Sequence, residues 1–280
     1  MASFDLRIDT LSDRNILISK MPNFLIIGAP RSGTTTLYEE LKRHPQIFMS
    51  SIKEPMFFAV EGASEPFHSP KDNQGIRDLE VYCSLFQGVR GEKAIGEASP
   101  LYLYSPKAPY RIKHYIPNVK LIAILRNPVD RAYSHFLHHR LLGYEGLADF
   151  REAVEAEEKR EQMGWSPYWL YRKQGLYGEQ LARYLSIFQS EKMKVFLFED
   201  LVQDPDGLFQ NIVQFLGLER SFKSETKSKR NVSGYPRSMK LHLFLTQPNF
   251  ISKLLSPFLS ESTRLKLRFE VWDVLLRGLR

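Results

Sequence analysis

The sequence predicts an α/β fold in which a central, mainly parallel sheet is flanked by helices on both faces. Apolar runs typical of buried strands alternate along the chain with helical segments. Three runs carry this prediction, and they are Phe24–Ile27, Val119–Leu125 and Lys194–Phe198. Because ligands of such folds bind beyond the carboxyl ends of the strands, the residues that follow each run are the first candidates for a functional site.

The other elements follow from periodicity and from helix start and stop signals. Leu37 and Leu41, four residues apart, predict a helix over Thr34–Arg43 that ends before Pro45. Ser50–Asn73 contains three prolines and little periodicity, which predicts a long loop after a short second strand. The remaining predicted elements are a short strand at Ala94–Gly96 and helices at Ile76–Phe86, Pro106–Tyr115, Val129–Arg140, Leu147–Glu161, Tyr177–Gln189 and Leu208–Leu216. Leu147–Glu161 is rich in charge and is predicted to be a solvated helix.

Composition limits the kind of protein. With 280 residues, 43% of them hydrophobic, the chain can bury the core of one large domain or two small ones, and we favour a single domain over residues 1–280. The net charge of +7 favours an anionic ligand. No zinc-ligand spacing or basic-aromatic recognition module accompanies it, so we do not predict nucleic acid as the partner. The single cysteine, Cys83, excludes a disulfide framework within one chain and is predicted to be a core residue.

Neither the beginning of the sequence nor its apolar runs indicate a membrane protein. The N-terminal stretch MASFDLRIDTLSDRN has three aspartates and no apolar signal-peptide region. The longest apolar runs, FLIIGA and LIAIL, are far shorter than the ~20 residues of a membrane span. We therefore predict a cytoplasmic protein with no membrane span, and the sequence does not indicate its oligomeric state.

The stretch FLIIGAPRSGTTTLYEEL has the strand, glycine turn and helix of a phosphate-binding loop. Gly28 and Gly33 have the spacing of G-x-x-x-x-G-K-[ST], but Thr34 stands at the lysine position and the loop's cation is Arg31. Backbone N–H groups, a helix N-terminus, hydroxyl groups and a guanidinium all favour a bound anion. The residues predicted to hold it are Arg31, Ser32, Gly33, Thr34, Thr35 and Thr36.

A second anion site is predicted in LIAILRNPVDRAYSHF. A nucleotide-hydrolysing enzyme needs an acidic residue at the end of this strand to hold Mg²⁺, but Arg126 stands there. The loop therefore favours a metal-free anion. Ser134 follows eight residues later, about two turns into the next helix at ~3.6 residues per turn, on the same side as Arg126. Two sites on two strand ends suggest a ligand with phosphates at two separate positions.

With these motifs the chain resembles the sulfotransferases that use 3′-phosphoadenylyl sulfate (PAPS), which have a P-loop-like three-layer fold. It is most similar to their bacterial stand-alone and polysaccharide-modifying types. GAPRSGTTTL matches the family's 5′-phosphosulfate motif, LRNPVDRAYS its 3′-phosphate motif, and KRNVSGYPRS resembles its late, cofactor-covering loop. The segment VFLFEDLVQDP and the later FLGL match another recurring feature. The resemblance covers residues 23–240, followed by a helical extension over about 238–280.

The resemblance implies transfer of a sulfuryl group from PAPS to an acceptor hydroxyl, with adenosine 3′,5′-bisphosphate (PAP) as product and no metal. It implies that Arg31 to Thr36 hold the 5′ side, with Arg31 also at the leaving oxygen, and that Arg126 and Ser134 hold the 3′-phosphate. The late-loop residues implied to bind the cofactor are Arg230, Asn231, Ser233 and Gly234.

Glu54 is the first candidate for the general base that a hydroxyl acceptor needs. It lies in SSIKEPMFF, which resembles the K-E-x-x-F-F setting of the catalytic glutamate in polysaccharide sulfotransferases. Lys53 is predicted to keep Glu54 ionised or to contact sulfate oxygens. Glu97 is the second candidate, as base or substrate ligand, and Tyr102 is predicted to bind substrate. The phenol-sulfating branch uses histidine, so the alternates are His44, His68, His135, His138 and His139.

The acceptor and two other functions stay open on the sequence. Ala98 stands where the polysaccharide branch has lysine, so a sugar, a polyketide or another small alcohol remains possible. The first alternative is a phosphoryl-transfer enzyme with a degenerate P-loop, against which Thr34 and Arg126 both count. The second alternative is a non-catalytic module that binds anions or nucleic acid.

Overall fold

A computed structural model describes residues 21–63 and 75–219. These residues fall into two compact units. One unit consists of the residues up to Ala132 together with those from Ala156 onward, and the other is Tyr133–Glu155. The first unit contains the whole described sheet, and with it most of the predicted site residues.

The sheet has five parallel strands in the order β2-β3-β1-β4-β5. They are β1 Phe24–Gly28, β2 Ile47–Met49, β3 Ala94–Ala98, β4 Lys120–Leu125 and β5 Met193–Leu197. In register, Phe24 of β1 lies between Gly96 of β3 and Lys120 of β4. Because β1 is central, the loop that follows it has the ends of β3 and β4 on either side.

The helices of the described residues follow the strands in alternation. They are α1 Thr34–Leu41, α2 Phe57–Val60, α3 Leu79–Ser84, α4 Leu101–Tyr104, α5 Ala108–Tyr115, α6 Pro128–Leu142, α7 Phe150–Glu155, α8 Glu157–Gln162, α9 Tyr177–Leu185, α10 Phe198–Gln203 and α11 Pro205–Leu216. Short 3₁₀ turns lie at Pro167–Trp169, Lys173–Gly175 and Ser190–Lys192. No helix within the described ranges is both long and apolar enough to cross a membrane.

Two hydrophobic cores form because successive side chains of a strand point to opposite faces of the sheet. Phe24 and Ile26 of β1 pack in one core with residues of α1 and α11. Leu25 and Ile27 pack in the other core with residues of α2, α3, α5 and α9, among which is the buried Cys83. All five residues of β1 are buried, which explains why this strand reads as a continuous apolar run.

The α/β prediction is confirmed, with differences in detail. The predicted helix Leu147–Glu161 is two helices, α7 and α8, and it is not simply a solvated face. Glu157 is fully buried, and its carboxylate accepts hydrogen bonds from the main-chain N–H groups of Arg172 and Lys173. The predicted loop Ser50–Asn73 contains α2, whose Phe57, Phe58 and Val60 are buried. In both segments the contacts with distant parts of the chain determine the burial, which the local sequence pattern does not reveal.

Candidate active site

The loop between β1 and α1 has the backbone of an anion-binding nest. Arg31 and Gly33 both have positive φ, at 64° and 91°, so their neighbouring N–H groups converge. No side chain caps the N-terminus of α1, which leaves its first N–H groups available to a ligand. The N–H of Ala29 donates to the carbonyl of Ile124 at 2.8 Å, which ties the loop to β4.

The two loop glycines have different roles. Gly33 supplies the left-handed backbone, and a Cβ there would also lie 2.5 Å from Cδ2 of Leu201 in α10. Gly28 instead permits close packing, because a Cβ on it would lie 2.6 Å from Cβ of Leu103 in α4. The loop is therefore held between helices on both sides of the sheet.

The hydroxyl groups of the loop fit a ligand with phosphate-like oxygens. Ser32 is fully buried, and its Oγ makes no hydrogen bond of normal geometry within the described residues. Thr34 is buried at the first position of α1, whereas Thr35 and Thr36 are exposed. The Tyr177 hydroxyl is a polar neighbour of Ser32. A buried hydroxyl without a well-formed hydrogen bond is costly unless a ligand satisfies it, which fits the predicted anion site.

Arg31 and Arg126 come together at the ends of the adjacent strands β1 and β4. Nη1 of Arg126 donates to the carbonyl oxygen of Arg31 at 3.4 Å. Burial, and next the positive charge of Arg126, lower the pKa of the Arg31 guanidinium, while Glu54 acts in the opposite direction. Two partly buried cations at one edge repel each other, and an anion bound between them would relieve that repulsion.

Other side chains hold Arg126 in place. Its guanidinium lies 4.8 Å from the ring centre of Phe198, the first residue of α10. The Tyr177 hydroxyl, at the start of α9, donates to the Arg126 carbonyl oxygen at 3.0 Å. These contacts restrict the arginine to the carboxyl edge of the sheet.

Glu54 lies beside this pair, on a strained loop that follows β2. Its N–H donates to the carbonyl of Ala98, the last residue of β3, at 2.9 Å. One carboxylate oxygen contacts Nζ of Lys53, and the other accepts a hydrogen bond from the Tyr168 hydroxyl at 2.8 Å. The side chain is 30% exposed, which leaves it accessible to a substrate.

Backbone strain is concentrated at this site. Across residues 21–63 and 75–219, the non-glycine residues with positive φ are Arg31, Glu54 and Met56. Such conformations cost on the order of 1–3 kcal/mol each and persist where the surroundings enforce them, which is frequent at functional sites.

Glu97 lies beneath Glu54 in a fully buried polar network. Its carboxyl group accepts hydrogen bonds from Ser99 Oγ at 2.8 Å and from the Tyr82 hydroxyl at 3.3 Å. Burial raises the pKa of Glu97 to about 7, although these hydrogen bonds oppose the shift. Tyr102 is also fully buried, and its hydroxyl accepts from the N–H of Phe58 at 3.4 Å. Glu97 and Tyr102 are therefore both buried, and neither has surface exposed to solvent at the site.

Other predicted residues lie in the second unit, in another turn of the first unit, or outside the described residues. Ser134, His135, His138 and His139 lie on α6 within the second unit, where the rings of His135 and His139 are 4.5 Å apart. Nδ1 of His44 accepts from the N–H of Gln46 at 3.1 Å, in the turn after α1. His68 and the late-loop residues Arg230, Asn231, Ser233 and Gly234 lie outside the described residues.

Several contributing side chains could not be assigned individual roles from the sequence. Tyr168 and Tyr177 both lie in the aromatic segment WSPYWLYRKQGLY, which the sequence predicts only as a whole to line the acceptor pocket or to cover it, and their hydroxyl groups reach Glu54 and the Arg126 carbonyl. Phe198 packs against the Arg126 guanidinium, and Ser99 Oγ accepts a hydrogen bond from the N–H of Met56. Only the aromatic content of that segment could have indicated the tyrosines, since nothing in their spacing identifies a partner.

Comparison with known proteins identifies the family. The family described as "Sulfotransferase domain" matches residues 21–240. The chain belongs to the sulfotransferase family. This sulfotransferase is similar to a structure of a sulfotransferase from Alicyclobacillus acidocaldarius, with 41% identity and a TM-score of 0.71, over 74% of this chain and 85% of that one.

Two human relatives extend the comparison. The sulfotransferase is 31% identical to heparan sulfate glucosamine 3-O-sulfotransferase 6 of Homo sapiens, over 78% of this chain and 58% of the relative. It is 28% identical to carbohydrate sulfotransferase 15 of Homo sapiens, over 71% of this chain and 44% of the relative. The chain spans about half the length of these relatives.

Proposed function

We propose that this protein transfers a sulfuryl group from PAPS to the hydroxyl group of an acceptor and releases PAP. The observation that carries the proposal is the meeting of Arg31 and Arg126 at the ends of β1 and β4, with the carboxylate of Glu54 beside them. Two cations suit a donor with phosphates at two positions, and an accessible carboxylate suits proton removal from a hydroxyl group.

The donor would supply the sulfuryl group and a phosphate leaving group, and the loop after β1 would bind its 5′ side. Arg31, the converging N–H groups and the Ser32 hydroxyl would stabilise the negative charge that develops on the leaving oxygen. Arg126 would hold the 3′-phosphate, with its guanidinium already oriented by Phe198. The predicted contribution of Ser134 to that phosphate is part of this proposal.

Glu54 would accept the proton of the acceptor hydroxyl. Lys53 contacts the carboxylate and places a positive charge beside the group that would take the proton. Glu97 has no exposed surface through which to contact an acceptor, so Glu54 is the better placed of the two carboxyl groups.

A sugar hydroxyl is the acceptor that we propose to test first. The support is the names of the two human relatives, a carbohydrate sulfotransferase and a glucosamine 3-O-sulfotransferase. A polyketide or another small alcohol remains the second class to test. Phosphoryl transfer is not favoured, because the chain belongs to the sulfotransferase family and has Arg126 where a magnesium-binding acid is needed.

The decisive experiment has two stages. Titration calorimetry without divalent metal should show PAP binding, and ATP with Mg²⁺ should bind far more weakly. Radiolabelled PAPS is then incubated with glucosamine-containing oligosaccharides, aliphatic alcohols and a phenol, and labelled products are counted. Binding of ATP with Mg²⁺ but not of PAP would overturn the proposal.

A further inference from the structure

We propose that Tyr168 is a positioning residue for Glu54, whose hydroxyl holds the carboxylate in the orientation needed to accept a proton. This inference rests on the proposed function of Glu54 as general base. It assigns a role in the reaction to the aromatic segment around Tyr168, which is distant from Glu54 in the sequence.

The contact itself is short and well protected. The Tyr168 hydroxyl donates to Oε2 of Glu54 at 2.8 Å, while Tyr168 is only 7% exposed. Its hydroxyl also lies 3.7 Å from Sδ of Met56, which is a weak acceptor. The carboxylate is by far the stronger of these two acceptors, so the hydroxyl proton is directed at Glu54.

Tyr168 is also rigidly held. The Tyr168 N–H is capped by Ser166 Oγ at 3.4 Å, and the Trp169 N–H donates to the Ser166 carbonyl at 3.0 Å. The Gln174 side chain donates to the carbonyl of Pro167, and the buried Arg131 guanidinium donates to that of Tyr171. A donor fixed by so many contacts can orient its acceptor, since little freedom is lost when the hydrogen bond forms.

The two partners of Glu54 differ in what they fix. Lys53 is the next residue in the chain and has a flexible side chain, so it supplies charge but little orientation. Tyr168 holds Oε2 from a separate, packed segment. Loss of the Tyr168 hydroxyl should therefore leave the charge of Lys53 beside Glu54 but remove the contact that fixes the orientation of its carboxylate.

Tyr168→Phe tests this role. A hydrogen bond to a charged group is worth about 1.5–3 kcal/mol, so kcat should fall about ten- to a hundredfold. The KM for PAPS and the affinity for PAP should stay within about twofold of wild type, because the hydroxyl contacts Glu54 and Met56, which are not proposed to bind the cofactor. The matched control is Tyr115→Phe, since Tyr115 is also 7% exposed and its hydroxyl also donates to a half-buried glutamate, Glu61. The control variant should keep the wild-type kcat.

Making Tyr168→Phe in a protein that already carries Glu54→Gln separates a positioning role from general damage to the fold. In Glu54→Gln protein the base is already lost, so adding Tyr168→Phe should lower the residual rate no further. In the unliganded protein, the losses in Tm of the two single variants should be non-additive in the double variant, because both remove parts of one contact.

Three results would overturn the positioning role. They are an unchanged kcat in Tyr168→Phe, an equal loss of rate in both backgrounds, and strictly additive losses in Tm. A wild-type protein that neither binds PAP nor transfers sulfuryl groups would instead refute the proposed function itself, and the positioning role with it.

Discussion

The two halves of the candidate site are built in different ways. The anion-binding half, at the ends of β1 and β4, uses residues that lie together in two short stretches around Arg31 and Arg126. The half around Glu54 depends on contacts between distant parts of the chain, with Tyr168 on one side and the Glu97 network beneath. The proposed binding of the anion therefore depends on short stretches of sequence, whereas the orientation of Glu54 depends on contacts across the fold. Substitutions in each half can show whether binding and rate respond separately.

The largest loss of rate is expected from the Glu54 half. Glu54→Gln removes the proposed general base while keeping the side-chain shape, so kcat should fall about 10²- to 10⁴-fold. PAP affinity, measured by calorimetry, should change little. Glu61→Gln is a suitable control, because Glu61 pairs with Arg111 and Tyr115 instead. A large loss of PAP affinity in Glu54→Gln would show that the two halves are not separate.

Arg31→Ala should lower kcat about 10²- to 10³-fold, the range found when one donor to a developing oxyanion is removed. PAP affinity should fall as well, because the same guanidinium is proposed to bind the 5′ side of the nucleotide. Single-turnover rates with saturating PAPS distinguish the two effects. Arg31→Lys should recover part of the affinity but little of the rate, since lysine keeps the charge and lacks the planar fork. Normal turnover in Arg31→Ala would show that this loop is not the donor site.

Arg126→Ala should affect recognition more than chemistry. The ratio of the affinities for PAP and 5′-AMP should shrink about ten- to a hundredfold, which is the worth of a charge-assisted hydrogen bond to the 3′-phosphate. Competition binding with both nucleotides gives the ratio directly. An unchanged ratio would remove Arg126 from the 3′ site.

Glu97 should affect stability rather than rate, through the pH dependence of unfolding. Its pKa is raised from an ordinary 4.5 to about 7, so the folded protein keeps this proton at pH values where the unfolded chain loses it. Stability from this group is complete below about pH 4.5 and is lost as pH rises to about 7. At about 1.4 kcal/mol per pKa unit, the loss is about 3 kcal/mol. Urea unfolding of wild type and Glu97→Gln at pH 5 and pH 8 should show a larger loss of stability in wild type, because other groups such as Glu157 titrate in both proteins. Equal losses would contradict the prediction.

The difference between the halves also explains what the sequence could predict. Strand β1 is buried on both faces, so its apolar run, the turn after it and the end of β4 could be recognised from local patterns. The pairing of Arg31 with Arg126 followed from the rule that ligands bind at the carboxyl ends of parallel strands.

The contacts of Glu54 could not be predicted in the same way. Tyr168 reaches Glu54 because the buried Glu157 and Arg131 fix the segment between α8 and α9, and each looks like a surface charge in the sequence. Glu97 was predicted as a candidate base or ligand, but burial is a property of the packed fold that its local sequence does not reveal. Its role in catalysis stays a prediction.

The central position of β1 also has a consequence for how the chain is made. β1 leaves the ribosome before either of its neighbours in the sheet, and its partner on one side, β4, starts about a hundred residues later. At about 5–20 residues per second, this apolar strand waits roughly 5 to 20 s during synthesis before both of its edges can be paired. The loop that follows β1 cannot reach its final shape sooner, because Ala29 is held by Ile124. This loop is thus synthesised about a hundred residues before the strand that completes it, and a chaperone that shields apolar nascent segments should raise the yield of active protein.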